Sequence, residues 1–349
     1  MKILLISVKS DKAYGGIAVW TDRFLSKCEQ LNIDCILVNT EIIGKRVHTG
    51  KRNILDELTR TRNIFRELKH LLKTEHFDAA YLNTSCGNFG LFRDEKIAKL
   101  ICRTGIPLIT QYHCEIPWWI HSRMSQRSLG KLVEYSTENL VLCQNSKNFL
   151  WNHYQKKAHK IPNFVPNEMI IPCEKEIREA VEHICFVGRV SETKGAKELY
   201  EAAGQLPKVQ FSLVGEVSPA VKTWEKPTNV LLLGLLPQKQ VLEQLDRADL
   251  FLFPSHTEGC SMALMEAMAR GLPCIATDVG ANADMLGGGN GVIVAKHDVD
   301  AMVSAVQLLQ DPVLRKTISR NAVKQIRDHY TEKNVSEILA VAKSVCRNN

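Results

Sequence analysis

Two glutamates, Glu258 and Glu266, stand where carboxylates can bind the hydroxyl groups of a ligand. Glu258 follows a short apolar run, and Glu266 interrupts a helical stretch of alanine, leucine and methionine. A carboxylate inside such a helix is costly unless it accepts hydrogen bonds, and sugar hydroxyls can donate them. Either glutamate alone would more often be a solvated acid, so the interpretation depends on the neighbouring residues.

The residues between the two glutamates predict an anion site. Gly259, Cys260, Ser261 and Met262 turn from the loop into the helix. The first amide groups of a helix have no partner within it. Together with the helix dipole, such amides bind phosphate groups.

Two cations follow an earlier predicted strand. Arg189 and Lys194 stand five residues apart, just after a strand predicted at residues 184–187. Lysine supplies a point charge and arginine a planar fork, a combination that suits a diphosphate. A lone Lys or Arg is usually a solvated surface charge, but the Gly188-Arg189 context favours phosphate contact.

The first half of the chain offers weaker candidates. Gly15 and Gly16 follow the first predicted strand and open a helix. Glycine lets a backbone approach a ligand closely, although such pairs also serve simple turns. His113 ends another predicted strand, where a lone histidine is more often structural than catalytic. Residues 83–87 end a third strand and are a candidate for the wall of an acceptor site.

Short strand-like runs alternate with amphipathic helical runs along the whole chain. The strand runs are apolar on both faces, as parallel strands buried on both faces require. The predicted strands span residues 2–8, 34–38, 79–82, 107–111, 140–143, 184–187, 210–214, 229–233, 250–253 and 273–276. The predicted helices span residues 19–31, 54–74, 94–104, 195–204, 237–248, 262–270, 300–309, 312–329 and 332–345.

A proline-marked stretch at residues 161–172 separates two such series. This pattern predicts an α/β protein with two Rossmann-like parallel-sheet domains, at residues 1–166 and 167–331. A last segment, 332–349, is expected to pack back on the first domain as a helix. Ligands bind beyond the carboxyl ends of parallel strands, so the loops after the strands are the expected place for a site.

The segment that contains the glutamates resembles glycosyltransferase family 4. That family is marked by Glu-x7-Glu within Pro-Ser-x-x-Glu-Gly…Glu-Ala-Met-Ala-x-Gly-x-Pro, and residues 254–273 match it. The Thr-Asp-Val-Gly at 277–280 and the strand–Gly-Arg…Lys-Gly element at 186–195 are similar too. Phe164 departs from the family's Ile-Pro-Asn-Gly-Val, so we assign no ligand role to Asn163. Glu115 stands where the family often has an aspartate or another acid close to its histidine.

The resemblance implies a GT-B fold, with two domains facing one cleft, and transfer of a sugar with retention of anomeric configuration. The donor would be a UDP- or GDP-sugar, and the acceptor a hydroxyl of a glycan or lipid-linked saccharide in cell-surface polysaccharide or glycoconjugate synthesis. Glu266 would bind the ribose and Glu258 the donor sugar. The implied donor-binding set is Gly15, Gly16, Arg189, Lys194, Gly259, Cys260, Ser261, Met262 and Glu266, and the catalytic candidates are His113 and Glu258.

No cofactor is expected beyond the nucleotide-sugar substrate. Protein cations can meet the charge of the diphosphate, so no metal site is expected. Eleven cysteines without a Cys-x-x-Cys pair predict neither a disulfide framework nor a zinc site. Cys35, Cys102, Cys143, Cys185 and Cys274 have apolar neighbours and are expected in the core.

Basic residues are concentrated in the first half of the chain. Between residues 45 and 73, nine Lys or Arg stand against three Asp or Glu, and residues 117–123 combine two tryptophans with a histidine and an arginine. Basic amphipathic helices are most often core-packed with a solvated face, but Trp near cations also suits an anionic membrane surface. Family members often act at the cytoplasmic leaflet, so we expect a cytoplasmic protein with peripheral attachment to the inner face of the membrane.

Composition excludes several other classes. The chain of 349 residues is 45% hydrophobic and 24% charged, as in globular proteins. Its N-terminal apolar run is too short for a signal peptide, and no run reaches the length of a membrane span. No nucleic-acid-binding module is recognised, so nucleic acid is not an expected partner.

Two alternative functions stay open from the sequence: a GT-B sugar-nucleotide epimerase and a catalytically silent sugar-nucleotide-binding protein. The epimerase would isomerise the sugar without any acceptor. Substitution of Glu258 and Glu266 would mark the silent protein, and both glutamates are present. A dehydrogenase is disfavoured, because the first strand–helix turn lacks Gly-x-Gly-x-x-Gly.

Overall fold

A computed structural model describes residues 1–9, 15–43 and 53–347. The chain divides into two compact units, one formed by Met1–Ile161 with Lys333–Asn349 and the other by Pro162–Glu332. The division falls at the start of the proline-marked stretch, five residues before the boundary placed at 166 from the sequence. The C-terminal segment groups with the first unit.

The first unit is built on a parallel sheet whose described strands follow the order β2-β1-β3-β4-β5-β6. Its strands are β1 (Lys2–Ser7), β2 (Asp34–Asn39), β3 (Ala79–Thr84), β4 (Leu108–Tyr112), β5 (Glu138–Val141) and β6 (His159–Lys160). Its helices before the chain crosses to the second unit are α1 (Gly16–Gln30), α2 (Ile54–Thr74), α3 (Asn88–Cys102), α4 (Ile116–Trp119), α5 (Arg123–Tyr135) and α6 (Gln144–Tyr154).

The second unit repeats this plan with the strand order β12-β11-β10-β7-β8-β9, again parallel. Its strands are β7 (His183–Val187), β8 (Gln210–Val214), β9 (Val230–Gly234), β10 (Leu250–Phe253), β11 (Cys274–Thr277) and β12 (Val292–Val294). Its helices are α7 (Ala196–Gln205), α8 (Gln238–Arg247), α9 (Met262–Ala269), α10 (Asn282–Leu286), α11 (Val299–Leu308) and α12 (Pro312–His329), and α13 (Lys333–Arg347) returns the chain to the first unit.

Central strands carry the core of each unit, as their continuous apolar runs predict. In β1, the side chains from Ile3 to Ile6 are at most 1% exposed. In β10, Leu250 and Phe251 are fully buried. Strands buried on both faces must place their polar residues at their ends, because the faces offer no water. The chemistry of both units is therefore concentrated where strands stop.

The alternating α/β pattern is confirmed, and the differences lie in the weak elements. The strands β6 and β12, of two and three residues, were not predicted because such short runs carry no periodic signal. Helices α4, α5, α6 and α10 were not predicted either. Helices α4 and α10 have only four and five residues. The sequences of α5 and α6 are mostly polar, and a capping box formed by Ser122 and Ser125 starts α5. Among the cysteines expected in the core, Cys102 is exposed and Cys35 half-buried, so that prediction was wrong for these two.

The described residues contain no helix with both the length and the apolar character needed to cross a bilayer. All eleven cysteines are free thiols.

Candidate functional site

The loop after β7 carries two cations at the carboxyl end of the second sheet. Arg189 comes two residues after the strand and is half exposed, with its Nε 3.6 Å from a carboxylate oxygen of the exposed Glu216. Lys194 ends the 3-10 turn Glu192–Lys194, just before α7. The strand-end position predicted for both cations is therefore observed.

Lys194 is paired with the first of the two glutamates. Its Nζ lies 2.5 Å from Oε1 of Glu258 and 6.0 Å from the centre of the Phe253 ring. The side chain of Glu258 is only 11% exposed and that of Lys194 30% exposed. Partial withdrawal from water makes this pair stronger than a surface ion pair. Glu258, which is expected to bind the donor sugar, thus forms an ion pair with Lys194, which is expected to bind the diphosphate.

Backbone contacts fix the loop that carries Glu258. The amide of His256 donates to the carbonyl of Thr193 at 3.0 Å, which ties this loop to the one before α7. From the other side, the hydroxyl of Thr277 at the end of β11 donates to the carbonyl of Ser255 at 2.5 Å. The carboxylate therefore projects from a fixed loop rather than a free one.

Gly280 allows the loop after β11 to pass close beneath Glu258. Its φ is +58°, and a Cβ atom there would lie 2.6 Å from the carbonyl oxygens of both Glu258 and Gly259. The next amide, that of Ala281, donates to the carbonyl of Gly259 at 2.9 Å. Only glycine combines this conformation with this approach, so the predicted match at 277–280 has a physical reason.

The predicted anion site lies at the start of α9. Ser261 is the N-cap, and its hydroxyl accepts a hydrogen bond from the amide of Leu264 at 3.2 Å. Met262 is the first helical residue, and its amide and that of Ala263 belong to the first turn, where no carbonyl lies one turn earlier in the helix. The helix start is thus capped on one amide and has two more that can face an anion.

Asn163 positions this helix start from the beginning of the second unit. Its side chain is 3% exposed and donates to the carbonyl of Cys260 at 2.9 Å. Cys260 is also buried, with its Sγ 4.0 Å from Sδ of Met265. Phe164, which stands where the family has glycine, is 1% exposed and packs into the core. The sequence assigned no ligand role to Asn163; the structure shows that it supports the loop.

Glu266 is the fifth residue of α9 and is 6% exposed. Its neighbours Ala267 and Met268 are fully buried. The interpretation of Glu266 as a surface acid is therefore wrong, and its role towards a polar ligand stays a prediction.

The glycine pair of the first unit is placed at a helix start. Gly15 is the N-cap of α1 and Gly16 its first residue. Gly15 has a φ of −146°, which any residue can adopt, and a Cβ atom there would meet nothing within 4 Å. Its backbone does not require glycine, so close approach of a ligand stays a prediction for this pair. Tyr14 lies outside the described residues.

His113 is the end of a chain of hydrogen bonds at the carboxyl edge of the first sheet. Its Nε2 is 2.8 Å from Oδ1 of Asn83, and Nδ2 of Asn83 donates to Oγ of Ser7 at 2.8 Å. Ser7 and Thr21 share a hydrogen bond of 2.6 Å, and the hydroxyl of Thr21 donates to the carbonyl of Ile17 in α1.

The direction of these hydrogen bonds defines which nitrogen of the imidazole carries the proton. Since Thr21 donates to Ile17, Ser7 must donate to Thr21 and accept from Asn83. The oxygen of Asn83 then faces Nε2 of His113, which must carry the proton, while Nδ1 keeps a lone pair. Burial lowers the pKa of His113 to about 3, so the ring is neutral near pH 7. Trp20 packs edge-on against the ring, with centroids 5.1 Å apart.

His113 can therefore accept a hydrogen bond but cannot act as a cationic acid near neutral pH. A neutral imidazole with Nδ1 available suits a hydroxyl group of a sugar. Glu115, two residues further on, is the N-cap of α4, and its Oε1 accepts a hydrogen bond from Asn145 at 2.5 Å.

Sequence reasoning missed Ser7 and Thr21, which hold candidate residues in place, and it noted Thr277 only as part of the match at 277–280. A usable signal existed for the roles of Ser7 and Thr277, because both are polar residues at the ends of apolar strands. Thr21 lies within α1 and is fully buried, and only the fold shows that its hydroxyl meets Ser7.

The chain contains one Asp-x-Asp sequence, at 298–300. Asp298 is the N-cap of α11, and its carboxylate accepts the amide of Ala301 at 2.9 Å. Asp300 lies in the first turn of the same helix, where an acidic residue complements the dipole. These aspartates thus have a structural role as the start of a helix.

Comparison with known proteins agrees with this geometry. Residues 170–325 match the family model described as "Glycosyl transferases group 1". The lipopolysaccharide core biosynthesis mannosyltransferase LpsB from Rhizobium meliloti (strain 1021) is 36% identical over 104 residues, which are 28% of this chain and 30% of that relative. The alignment therefore spans less than a third of this curated relative.

Solved structures resemble the chain over its whole length. A sucrose-phosphate synthase from Thermosynechococcus elongatus matches with a TM-score of 0.81 and 16% identity, covering 100% of both chains. Anabaena HepE, crystallised with UDP and glucose, matches with a TM-score of 0.74 and 16% identity over 99% of both chains. At these identities the likeness shows the fold alone. The fold is that of the GT-B glycosyltransferases, and with the family match on the second unit it supports a glycosyltransferase.

Proposed function

We propose that this protein is a retaining glycosyltransferase of family 4 and of the hexosyltransferase type. It moves a sugar from a UDP- or GDP-sugar to a hydroxyl of a glycan or lipid-linked saccharide. The observation that carries the proposal is the pair formed by Lys194 and Glu258, 2.5 Å apart at a strand-end loop beside a capped helix start. A cation, a carboxylate and first-turn amides are the groups that a diphosphate and a sugar need.

Donor binding exchanges one set of partners for another. The diphosphate draws Lys194 away from Glu258, with Arg189 as a second, more exposed cation. Glu258 then accepts hydrogen bonds from hydroxyls of the donor sugar, and Glu266 accepts them from the ribose. As negative charge develops on the leaving diphosphate, fixed donors of this kind each lower the barrier by about 3 kcal/mol.

His113 serves the reacting sugar as a neutral hydrogen-bond acceptor. Its Nε2 is committed to Asn83, which leaves Nδ1 for a hydroxyl group. The acceptor proton goes to the leaving phosphate, so the reaction needs neither a covalent role for Glu258 nor a cationic histidine. Protein cations meet the diphosphate charge, so transfer requires no divalent metal and no cofactor.

The proposed acceptors follow from the relatives. LpsB is named for lipopolysaccharide core biosynthesis, and HepE was crystallised with UDP and glucose. We therefore place this chain in the synthesis of a cell-surface polysaccharide or glycoconjugate, with a UDP-sugar as the first donor to test.

A donor panel tests the proposal directly. The protein is incubated with UDP- and GDP-sugars, with and without saccharide acceptors, and nucleoside diphosphate release and the anomeric configuration of the product are measured. One donor should give acceptor-dependent release with retention. Isomerisation of the sugar without acceptor would point instead to the epimerase, and donor binding without turnover under all conditions to the silent protein.

The Glu266→Ala variant tests the proposed role of Glu266 in donor binding. It should abolish donor use while the circular dichroism spectrum and thermal midpoint stay close to wild type. The control is Glu243→Ala, since Glu243 is an exposed acid on α8. Equal activity of both variants would remove Glu266 from the site.

We also propose peripheral attachment to the cytoplasmic face of an anionic membrane. On α2, the exposed cations Arg62, Arg66, Lys69 and Lys73 recur at helical spacing and form one stripe. The other face packs inward through Ile64 and Leu68. Residues 45–52 of the predicted basic region lie outside the described residues. Arg60 does not belong to the stripe, because it is buried and its Nε donates to the carbonyl of Thr40.

Exposed apolar side chains accompany this stripe. Ile54, Leu55 and Leu58 at the start of α2 are each more than 60% exposed, and Trp118 and Trp119 in α4 are about 40% exposed. Co-sedimentation with anionic and neutral liposomes tests the idea. Binding should require anionic lipid and weaken with salt, and absence of binding at low salt would remove it.

A further inference from the structure

Three side chains with metal-ligating atoms meet next to the predicted donor loop. Glu198 lies in the first turn of α7, His256 in the loop after β10, and His297 in the loop before α11. Oε1 of Glu198 accepts hydrogen bonds from Nε2 of His256 at 2.8 Å and from Nδ1 of His297 at 2.6 Å. The three ligand atoms all lie within 4.8 Å of one another.

Glu198 is an unusual residue for a simple surface contact. It is 4% exposed, and its second oxygen, Oε2, is buried without a hydrogen-bond partner. The structure thus leaves one oxygen of a buried carboxylate without a partner, and a bound cation would lower the cost of burying this carboxylate.

The backbone of His297 is held in a conformation that disfavours its side chain. Its φ is +64°, in the left-handed region where glycine is preferred. The side chain is 63% exposed, so packing in a core does not explain the strain. Its ring lies edge-on against that of His256, with centroids 4.2 Å apart. The strained backbone aims this imidazole at Glu198.

We propose that Glu198, His256 and His297 form a zinc site with a fourth position open to water. Zinc takes imidazole nitrogen and carboxylate oxygen in tetrahedral geometry at about 2.0–2.2 Å, which puts ligand atoms about 3.3 Å apart. The present separations of the two imidazole nitrogens from Glu198, 2.8 and 2.6 Å, are shorter than this, so both imidazoles must move back by about half an ångström to accommodate the ion. Two imidazoles and one carboxylate are a ligand set that zinc favours.

Zinc at this place cross-links three elements of the second unit. His256 is two residues from Glu258, so the ion restrains the loop that carries the predicted sugar-binding carboxylate. The metal takes no part in sugar transfer. His256 and His297 lie 58 and 99 residues from Glu198 along the chain, so no short sequence motif predicts the site.

Zinc titration of the full chain, stripped of metal by a chelator, tests the inference. Isothermal titration calorimetry and competition with a chromophoric chelator should show one tight equivalent, and zinc should raise the thermal midpoint. His297→Gly should lower the affinity at least about tenfold. Because glycine suits a φ of +64°, this variant relieves backbone strain, so a loss of zinc cannot be ascribed to unfolding.

Thiols are the main competitors for zinc, since Cys102 and Cys173 are exposed. All titrations therefore use a C102S/C173S background. His256→Ala should lose the tight equivalent as His297→Gly does, whereas His153→Ala, at an exposed position on α6, should keep it. A C102S/C173S chain without the equivalent, or a His297→Gly variant of it that retains the equivalent unchanged, would overturn the proposal. None of these readouts uses transferase activity, so their failure leaves the proposed function standing.

Discussion

The carboxyl ends of the two sheets carry polar residues of different kinds. In the second unit they present ionised groups, with Lys194 and Glu258 paired in partial seclusion from water and Arg189 more exposed nearby. In the first unit the ends of adjacent strands carry neutral groups, Ser7, Asn83 and a histidine whose pKa is lowered to about 3. One edge can compensate a charged diphosphate, and the neutral groups described at the other edge suit uncharged hydroxyls.

This difference shows that two sheets of one architecture can be specialised by a few strand-end residues. The charged edge needs glycines at positive φ, since loops must pass close to one another to bring opposite charges together. The neutral edge instead needs an unbroken chain of donors and acceptors, because buried polar groups must be satisfied. The predictions below test each side of this contrast.

Among the four changes that test this contrast, Lys194→Ala at the charged edge should have the largest effect. Loss of the cation should lower kcat/KM for the donor by about 100- to 1000-fold, since one fixed donor contributes about 3 kcal/mol. Steady-state kinetics with the donor found in the panel measure this. Lys197→Ala is the matched control, because Lys197 is exposed on α7, the helix that follows Lys194, and pairs with Glu201 at 3.7 Å. Equal activity of the two variants would contradict the role of Lys194.

Gly280→Ala should be the next most damaging change. The new methyl group would meet two carbonyl oxygens at 2.6 Å from a φ of +58°, so we expect a loss of about 2–3 kcal/mol in the free energy of unfolding. Urea denaturation measures the loss, and the displaced Glu258 should raise the KM for the donor. Gly204→Ala, within α7 where nothing lies within 4 Å, should be neutral or stabilising by about 0.5–1 kcal/mol. Similar losses in both variants would refute the close-approach argument.

The neutral edge predicts a pH dependence of stability. The folded pKa of His113 is about 3, below the unfolded value of about 6.5, so the unfolded chain binds the proton first as pH falls. The stability contributed by neutral His113 is complete above about pH 6.5 and is lost progressively towards pH 3, at up to about 1.4 kcal/mol per pH unit. Denaturant unfolding of wild type and His113→Asn between pH 8 and pH 4 measures this. The variant should show a shallower decline, and parallel curves would refute the neutral, buried imidazole.

Arg189→Ala should have the smallest effect. Arg189 is half exposed and its pairing with Glu216 is loose at 3.6 Å, so stability should change by no more than about 0.5 kcal/mol. The KM for the donor should rise a few-fold, and less at high salt. Glu216→Ala is the companion variant, and by releasing Arg189 it should leave the KM unchanged or lower it. A loss of kcat/KM for the donor in the Arg189 variant as large as that in the Lys194 variant would show that the contribution of each cation does not depend on its burial.

Much of the architecture follows from local sequence. The apolar runs placed ten of the strands, and the match at residues 254–280 identified the loop that carries Glu258 and the helix that carries Glu266. These succeeded because buried parallel strands and tight loops leave strong compositional patterns. Helices α4, α5, α6 and α10 and the two shortest strands were not predicted, because their patterns are polar or too brief. The division between Ile161 and Pro162 falls at the start of the proline-marked stretch, as exposed, proline-rich linkers between domains predict.

Residue types, their order and their spacing thus established an α/β protein with two sheet domains and named the charged residues at the second sheet's edge. The contact partners of those residues could not be predicted from residue types and spacing. That Lys194 pairs with Glu258, that Asn83 and Ser7 align His113, and that Glu198 gathers two histidines are contacts between residues about 30 to 100 positions apart. Such contacts depend on strand order and loop approach, and these arise from packing the whole unit rather than from any local pattern.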